Sequence, residues 1–217
     1  MDKLEKSYYA AADKAIQAMN RENLEAFGRL KMAKWDQINV IRTVVSVYRE
    51  AAMRARRRYY EVAFEAYVLG LTMCGEEPRK AHAMAEKAIT PEWIDKILDR
   101  VDPVSMFRFT SETERKAYKT AETLEVANDR DTEINKALRF WSQQLGQYAI
   151  IMTDNAVLQA FEDYGTEYVM WIAEKDQRTC RTCKTYDGQV FELEDLPDKP
   201  HFGCRCRFRP VAERKAD

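Results

Sequence analysis

Through its first 69 residues the chain carries no proline and a single glycine, Gly28, so only one residue in that stretch invites the backbone to leave a helix. Ala, Glu, Lys, Arg, Leu and Met dominate it, the residues that lose little side-chain freedom in a helical turn. Two long helices broken near Gly28 are predicted. In the second, Trp35, Ile38, Ile41, Val45 and Tyr48 recur at three- and four-residue steps and lay an apolar stripe along one face. Gly75 and Pro78 stop that helix. Thr90-Pro91-Glu92 supplies a cap, a proline at the first helical position and an acid in the positive first turn, so a short helix begins there, and Asp102-Pro103 ends or restarts it. Ser111 with Glu114 has capping-box spacing for a helix running through Leu124. After Asn128 to Asp131 the register resumes through Ile134, Leu138, Trp141, Leu145 and Tyr148 toward Phe161, and Gly165 terminates it.

Beyond Gly165 the pattern becomes that of short strands: Tyr168 to Ala173, Gln189 to Leu193 after an Asp187-Gly188 turn, and Arg205 to Val211. Three short strands do not make a stable domain unaided. Something else has to hold this end together. The expected fold class is mainly α, with long helices in an N-terminal body and a small C-terminal zinc-stapled α+β module. Residues 1–110 form the helical arm or body, 111–165 a helical segment packing on the C-terminal module, and 166–217 the zinc-binding β-rich module.

Four of the five cysteines and one of the two histidines lie after residue 179, in the order Cys180-x2-Cys183, seventeen residues, then His201-x2-Cys204-x-Cys206. An odd number of cysteines in a chain expected to be non-secreted argues against a disulfide framework. Two soft-ligand clusters a hairpin apart instead suit a tetrahedral zinc ion, the first as a CxxC knuckle and the second completing the shell. Four ligands suffice for five candidates. The two-residue gap repeated by His201 and Cys204 favours Cys180, Cys183, His201 and Cys204, with Cys206 able to replace either member of the second pair. Three thiolates and a neutral imidazole leave the site at net −1, which Arg178, Arg181, Arg205 and Arg207 are placed in sequence to offset. Such an ion contributes about 10 kcal/mol or more to folding, enough to order so short a segment. Free or redox cysteines are the plainer reading, and the paired spacing disfavours it.

The residues around these ligands, Trp171, Asp176, Arg178, Asp187-Gly188, Phe191, Pro200-His201 through Cys204-Arg205-Cys206, and Pro210, resemble the C-terminal signature of tailed-phage head-morphogenesis proteins, the Mu F-like minor head proteins. The resemblance spans about residues 165 to 211. It departs from the family at Phe202-Gly203, where proline and a small polar residue are usual. It implies a minor capsid component of the virion head, assembled in the host cytoplasm. The implied partners are the portal protein or the major capsid protein, with packaged DNA and a homo-oligomer in the head as further possibilities. The implied role is head assembly, DNA packaging or ejection. The rival functions are a zinc-stabilised DNA-binding module and a head-associated hydrolase.

Composition narrows these choices. At 217 residues the chain is one compact body with an appendage, or two small units. Lys and Arg number 35 against 36 Asp and Glu, so a globally basic nucleic-acid binder is excluded and any electrostatic partner must meet a local patch. The stretches Ala66 to Gly75 and Phe140 to Thr153 are too short or too polar to span a bilayer, and the start has no signal-peptide layout, so a soluble cytoplasmic protein with no membrane partner is expected. Arg54, Arg57 and Arg58 share a helix face beside Tyr59, Tyr60 and Phe64. That pattern reads as a phosphate-tracking patch or, better, as an ion-paired face with Glu50 matched to Arg54 and Glu61 to Arg57, and with Tyr60, Phe64 and Tyr67 at core spacing. From Lys199 onward six basic residues face two acids, either a contact to DNA or an acidic portal surface, or a solvated tail. His82 and Cys74 read as ordinary helix residues. With no GxSxG, Walker loop or HExxH, and with only His82 left to serve as a base, no enzyme is expected.

Overall fold

The computed structural model describes residues 3–100, 108–177, 179–201 and 203–212. A one-turn helix α1 (Lys3–Lys6) leads into α2 (Ala10–Lys31), then α3 (Val40–Met73), α4 (Pro78–Ala88), α5 (Pro91–Leu98), α6 (Phe109–Val126) and α7 (Arg130–Tyr164). The C-terminal part adds β1 (Tyr168–Ile172), α8 (Arg181–Tyr186), β2 (Val190–Glu192) and β3 (Arg207–Val211). The protein is mainly helical with a small three-stranded sheet, as composition predicts. Two helices of 34 and 35 residues, α3 and α7, form its axis. At 1.5 Å per residue each is about 50 Å long.

Gly28 does not break the first helix. It lies inside α2, and the chain turns instead over residues 32–39, where Asn39 caps α3 by accepting a hydrogen bond from the Arg42 amide at 2.9 Å. One interior glycine costs a helix only about 1 kcal/mol, and the buried residues around it, Ala26, Phe27 and Leu30, keep the helix intact. Trp35 and Ile38 therefore precede α3 rather than joining its stripe. Ile41 is exposed, and the core side of α3 runs through Val44, Tyr48, Ala51, Ala55, Tyr59, Val62, Ala66 and Leu71. Tyr60, expected at a core position, is 37% exposed while its neighbour Tyr59 is fully buried.

The other helix ends follow their local chemistry. Thr90 caps α5 with its hydroxyl accepting from the Trp93 amide, and Pro91 opens the helix. Gly165 ends α7 at φ 84°, with the Thr166 amide bonded back to the Phe161 carbonyl at 2.9 Å, a six-to-one closure that needs a residue tolerant of positive φ. Ser111, by contrast, is not a cap: α6 begins at Phe109 with no side-chain cap, because Phe109 is buried among Tyr59, Tyr148 and Trp141 and draws the first turn inward. The predicted boundary at Asp102-Pro103 falls outside the described residues.

The small residues of α3 let α7 come close, and Gly70 sits at such an approach. A Cβ there would lie 2.7 Å from Ala160 Cβ and 3.1 Å from the Val157 carbonyl oxygen. Both partners belong to the backbone or its first side-chain atom, so they cannot swing aside. The sheet has strand order β2-β1-β3, with both pairings antiparallel. Its inner face carries Val169, Trp171 and Phe208, which join the same continuous apolar core as the long helices. The three strands are thus supported by helix α7 and by Tyr8 of the first turn as well as by their own cluster of ligands. Gly70→Ala is expected to destabilise the protein by about 1–3 kcal/mol through overpacking, read as a lowered thermal midpoint with unchanged far-ultraviolet circular dichroism. An unaltered midpoint would show that the two helices can separate at no cost.

Candidate metal centre

The ligand cluster is assembled from three local devices. Cys180 caps α8, the short helix absent from the sequence expectation, and its Sγ accepts from the Cys183 amide at 3.3 Å. The CxxC spacing thus puts Cys180 at the cap and Cys183 in the first turn, with a first-turn amide turned toward the Cys180 sulfur. Gly188 follows at φ 81° and its amide bonds the Trp171 carbonyl at 2.8 Å, while Asp187 Oδ1 accepts from the Ala173 amide at 3.0 Å. These bonds tie the knuckle to the end of β1. The second ligand group arrives on the loop before β3, where the Gly203 amide donates to Gln147 Oε1 of α7 at 2.7 Å and the Cys204 amide to the His201 carbonyl at 3.3 Å.

All five expected ligand residues converge, as two overlapping trios that share Cys183: Cys180, Cys183 and His201, and Cys183, Cys204 and Cys206. Within each trio the ligand atoms lie within 4.8 Å of one another. Cys183 Sγ is 3.7 Å from His201 Nε2 and 3.6 Å from Cys204 Sγ. Cys183, Cys204 and Cys206 are buried, whereas Cys180 and His201 form the half-exposed side. The donor set of thiols and one imidazole, without a carboxylate, fits a soft or borderline metal ion, and the cluster can hold one.

Packed so closely, the thiols keep their protons unequally. The Cys204 thiol bonded to Cys206 brings Cys206 down to about 5 against the opposing effect of burial, and the same contact holds Cys204 far above the ordinary thiol range. Burial, reinforced by Cys206 and Cys180, pushes Cys183 up to about 12. At Cys180 burial opposes ionisation, but the bonds from Cys183 and the neighbouring His201 outweigh it and lower its thiol. Without a cation the cluster retains protons, and a divalent ion would take their place, so metal affinity falls as pH falls.

Arg205 and Arg207 do not serve the cluster as their sequence positions suggest. Arg205 makes a two-pronged pair with Asp13 at 2.8 and 2.9 Å. Arg207 donates to the Glu5 carbonyl at 3.1 Å and lies 3.5 Å from Glu174, and Arg209 pairs with Glu5 at 2.9 Å. The basic run is ion-paired at these positions rather than a solvated tail, Arg205 and Arg209 by Asp13 and Glu5 at the start of the chain and Arg207 by Glu174. Arg178 lies outside the described residues, as do positions 213–217. On α3, Arg54 pairs with Glu50 as expected, but Glu61 pairs with Arg58 rather than Arg57, and Arg58 also reaches Glu22 at 2.7 Å. The exposed His82 donates from Nδ1 to the Pro78 carbonyl at 2.8 Å, and Cys74 lies 3.4 Å from the Thr166 hydroxyl.

A half-buried cation outside the arginine set, Lys199, meets the backbone of the ligand segment. Lys199 Nζ sits 2.7 Å from Asp154 Oδ2, 2.6 Å from the Cys206 carbonyl oxygen and in contact with the Tyr9 hydroxyl, so its three donors meet three acceptors. The Tyr9 hydroxyl in turn lies 2.9 Å from Asp154 Oδ1 and 2.8 Å from the Cys206 carbonyl. Burial pushes the Asp154 carboxyl above its usual range, and Lys199 with the two tyrosines pulls it back. A sequence signal existed: Asp154 falls on the stripe Ile150, Val157 and Phe161, where a buried acid demands a buried cation.

Residues 147–209 match the family model described as Phage Mu protein F like protein. This segment is Mu F-like, of the phage head-morphogenesis family. It begins in the second half of α7 and contains all five ligand residues together with most of the sheet. No curated protein and no solved structure matches the chain.

Because Cys183 belongs to both trios, Cys183→Ala is expected to abolish stoichiometric metal binding, whereas Cys206→Ala or His201→Ala each removes one ligand and weakens it. Elemental analysis of the purified variants checks this ordering. Equal metal content in Cys183→Ala and the unaltered protein would exclude the cluster as the site.

Proposed function

We propose that the protein is a minor head protein of a tailed phage, acting at or near the portal vertex in head assembly, DNA packaging or ejection, with structural zinc in its Cys/His cluster. The Mu F-like match over the ligand-bearing segment carries this reading. Zinc fits because it takes thiolate and imidazole ligands in tetrahedral sets, and the two trios that share Cys183 offer four thiols and an imidazole, a sulfur-rich set of the kind found in closed structural sites. The role is taken as structural rather than catalytic for the same reason. The partners are the portal protein or the major capsid protein, and the location is the virion head after assembly in the host cytoplasm.

The placement of Lys199, Arg205, Arg207 and Arg209 in ion pairs within the chain favours protein docking over a DNA-binding module, since none of these cations is left to neutralise phosphates. A mass-spectrometric census of purified particles is expected to find the chain in low copy number alongside portal protein. Binding to free duplex should be weak. Absence from both procapsids and virions would overturn the reading. So would tight duplex binding that drops about 10³-fold or more between 50 and 200 mM salt, which would favour the DNA-binding rival.

A further inference from the structure

The start of the chain is fastened at four points to the segment that carries Cys204 and Cys206, and at a fifth to Lys199. Counting along that segment, Cys204 and Cys206 supply sulfurs to the cluster, whereas Arg205, Arg207 and Arg209 reach Asp13, the Glu5 carbonyl and the Glu5 carboxylate. The Cys206 carbonyl faces the same way and receives Tyr9 and Lys199. Arg205 also lies over the Tyr9 ring, 4.4 Å from its centroid, and Lys199 lies 5.2 Å from the same ring. Tyr9 and Tyr8 are buried. A backbone segment with ligands on one side and anchors on the other cannot move one set without moving the other.

We propose that Tyr9, Lys199 and Asp154 are positioning residues for the metal, and that docking of residues 5–13 and filling of the cluster are thermodynamically coupled. Metal would fix the 204–209 segment and so fasten the N-terminal strap, and the fastened strap would hold Cys206 in place for the metal. The coupling rests on the cluster binding an ion, as read above. By linkage, the factor by which the strap strengthens metal binding equals the factor by which metal strengthens strap docking. A chain that has not acquired its ion would then present a loosened N-terminus, whereas a loaded chain presents a closed one.

The test uses the full chain and zinc alone. Tyr9→Phe removes one hydroxyl and keeps the ring. It is expected to weaken zinc binding about 10- to 100-fold in chelator competition, the range found when an outer partner of a metal ligand is lost. It should also shift the absorption bands of the cobalt-substituted protein, which report the thiolate shell. Asp13→Asn, at a half-exposed side chain that bonds Arg205, is expected to act in the same direction by a smaller factor. It decides the matter if Tyr9→Phe fails to fold. In the unaltered protein, withdrawing zinc should speed tryptic cleavage after the exposed Lys6 and hydrogen exchange over residues 8–13, while the interior of α3 and α7 stays protected. The proposal is overturned if both variants bind zinc as the unaltered chain does, or if cleavage at Lys6 ignores zinc. An unaltered chain that binds no zinc sinks the metal reading, and the coupling with it, which separates the two failures.

Discussion

One short stretch of backbone, Cys204 to Arg209, has to satisfy two sets of neighbours at once. Alternate side chains turn to opposite sides, so sulfur reaches the ligand cluster while guanidinium reaches Asp13 and Glu5. The carbonyl of Cys206 adds a third attachment, to Lys199 and Tyr9. The Lys199–Asp154 pair beneath it makes the arrangement demanding: two opposite charges taken out of water are tolerable only when every donor and acceptor is met, and here each is. Strap, helix α7 and ligand loop are therefore set by one another.

Helix α7 is the element through which this reaches the rest of the molecule. Its buried side packs along α3, where Gly70 and Ala160 allow near contact, while Asp154 and Gln147 on the same helix hold the ligand loop through Lys199 and the Gly203 amide. The Mu F-like segment begins inside this helix, at residue 147, rather than at the first strand. The physical unit around the cluster accordingly includes the helical surface that supports it, and a head-assembly role built on this segment would present that surface and the module as a piece.

Much of this could be read from the chain before any coordinates. The long helices follow from the lack of breakers, the ends at Thr90 and Gly165 from cap chemistry, the strands from the short β-like pieces around the Asp187-Gly188 turn, and the convergence of five soft ligands from their spacing. The failures have common causes. Gly28 and Ser111 carried local signals that buried neighbours overrode, Phe27 and Leu30 in the first case and Phe109 in the second. Arg205 and Arg207 adjoin the cluster in sequence, yet adjacency along an extended chain sends neighbours to opposite sides.

The sequence by itself determined which residues can form helices and which side chains can take a soft metal ion, because propensity and ligand chemistry are properties of residues and their near neighbours. Only the tertiary structure decided that Tyr9, Asp154 and Lys199 meet at the back of that cluster, and that the C-terminal arginines answer acids about 190 residues away. Pairings of that range depend on how long helices cross, which is settled by the packing of the whole core and leaves no periodic trace along the chain.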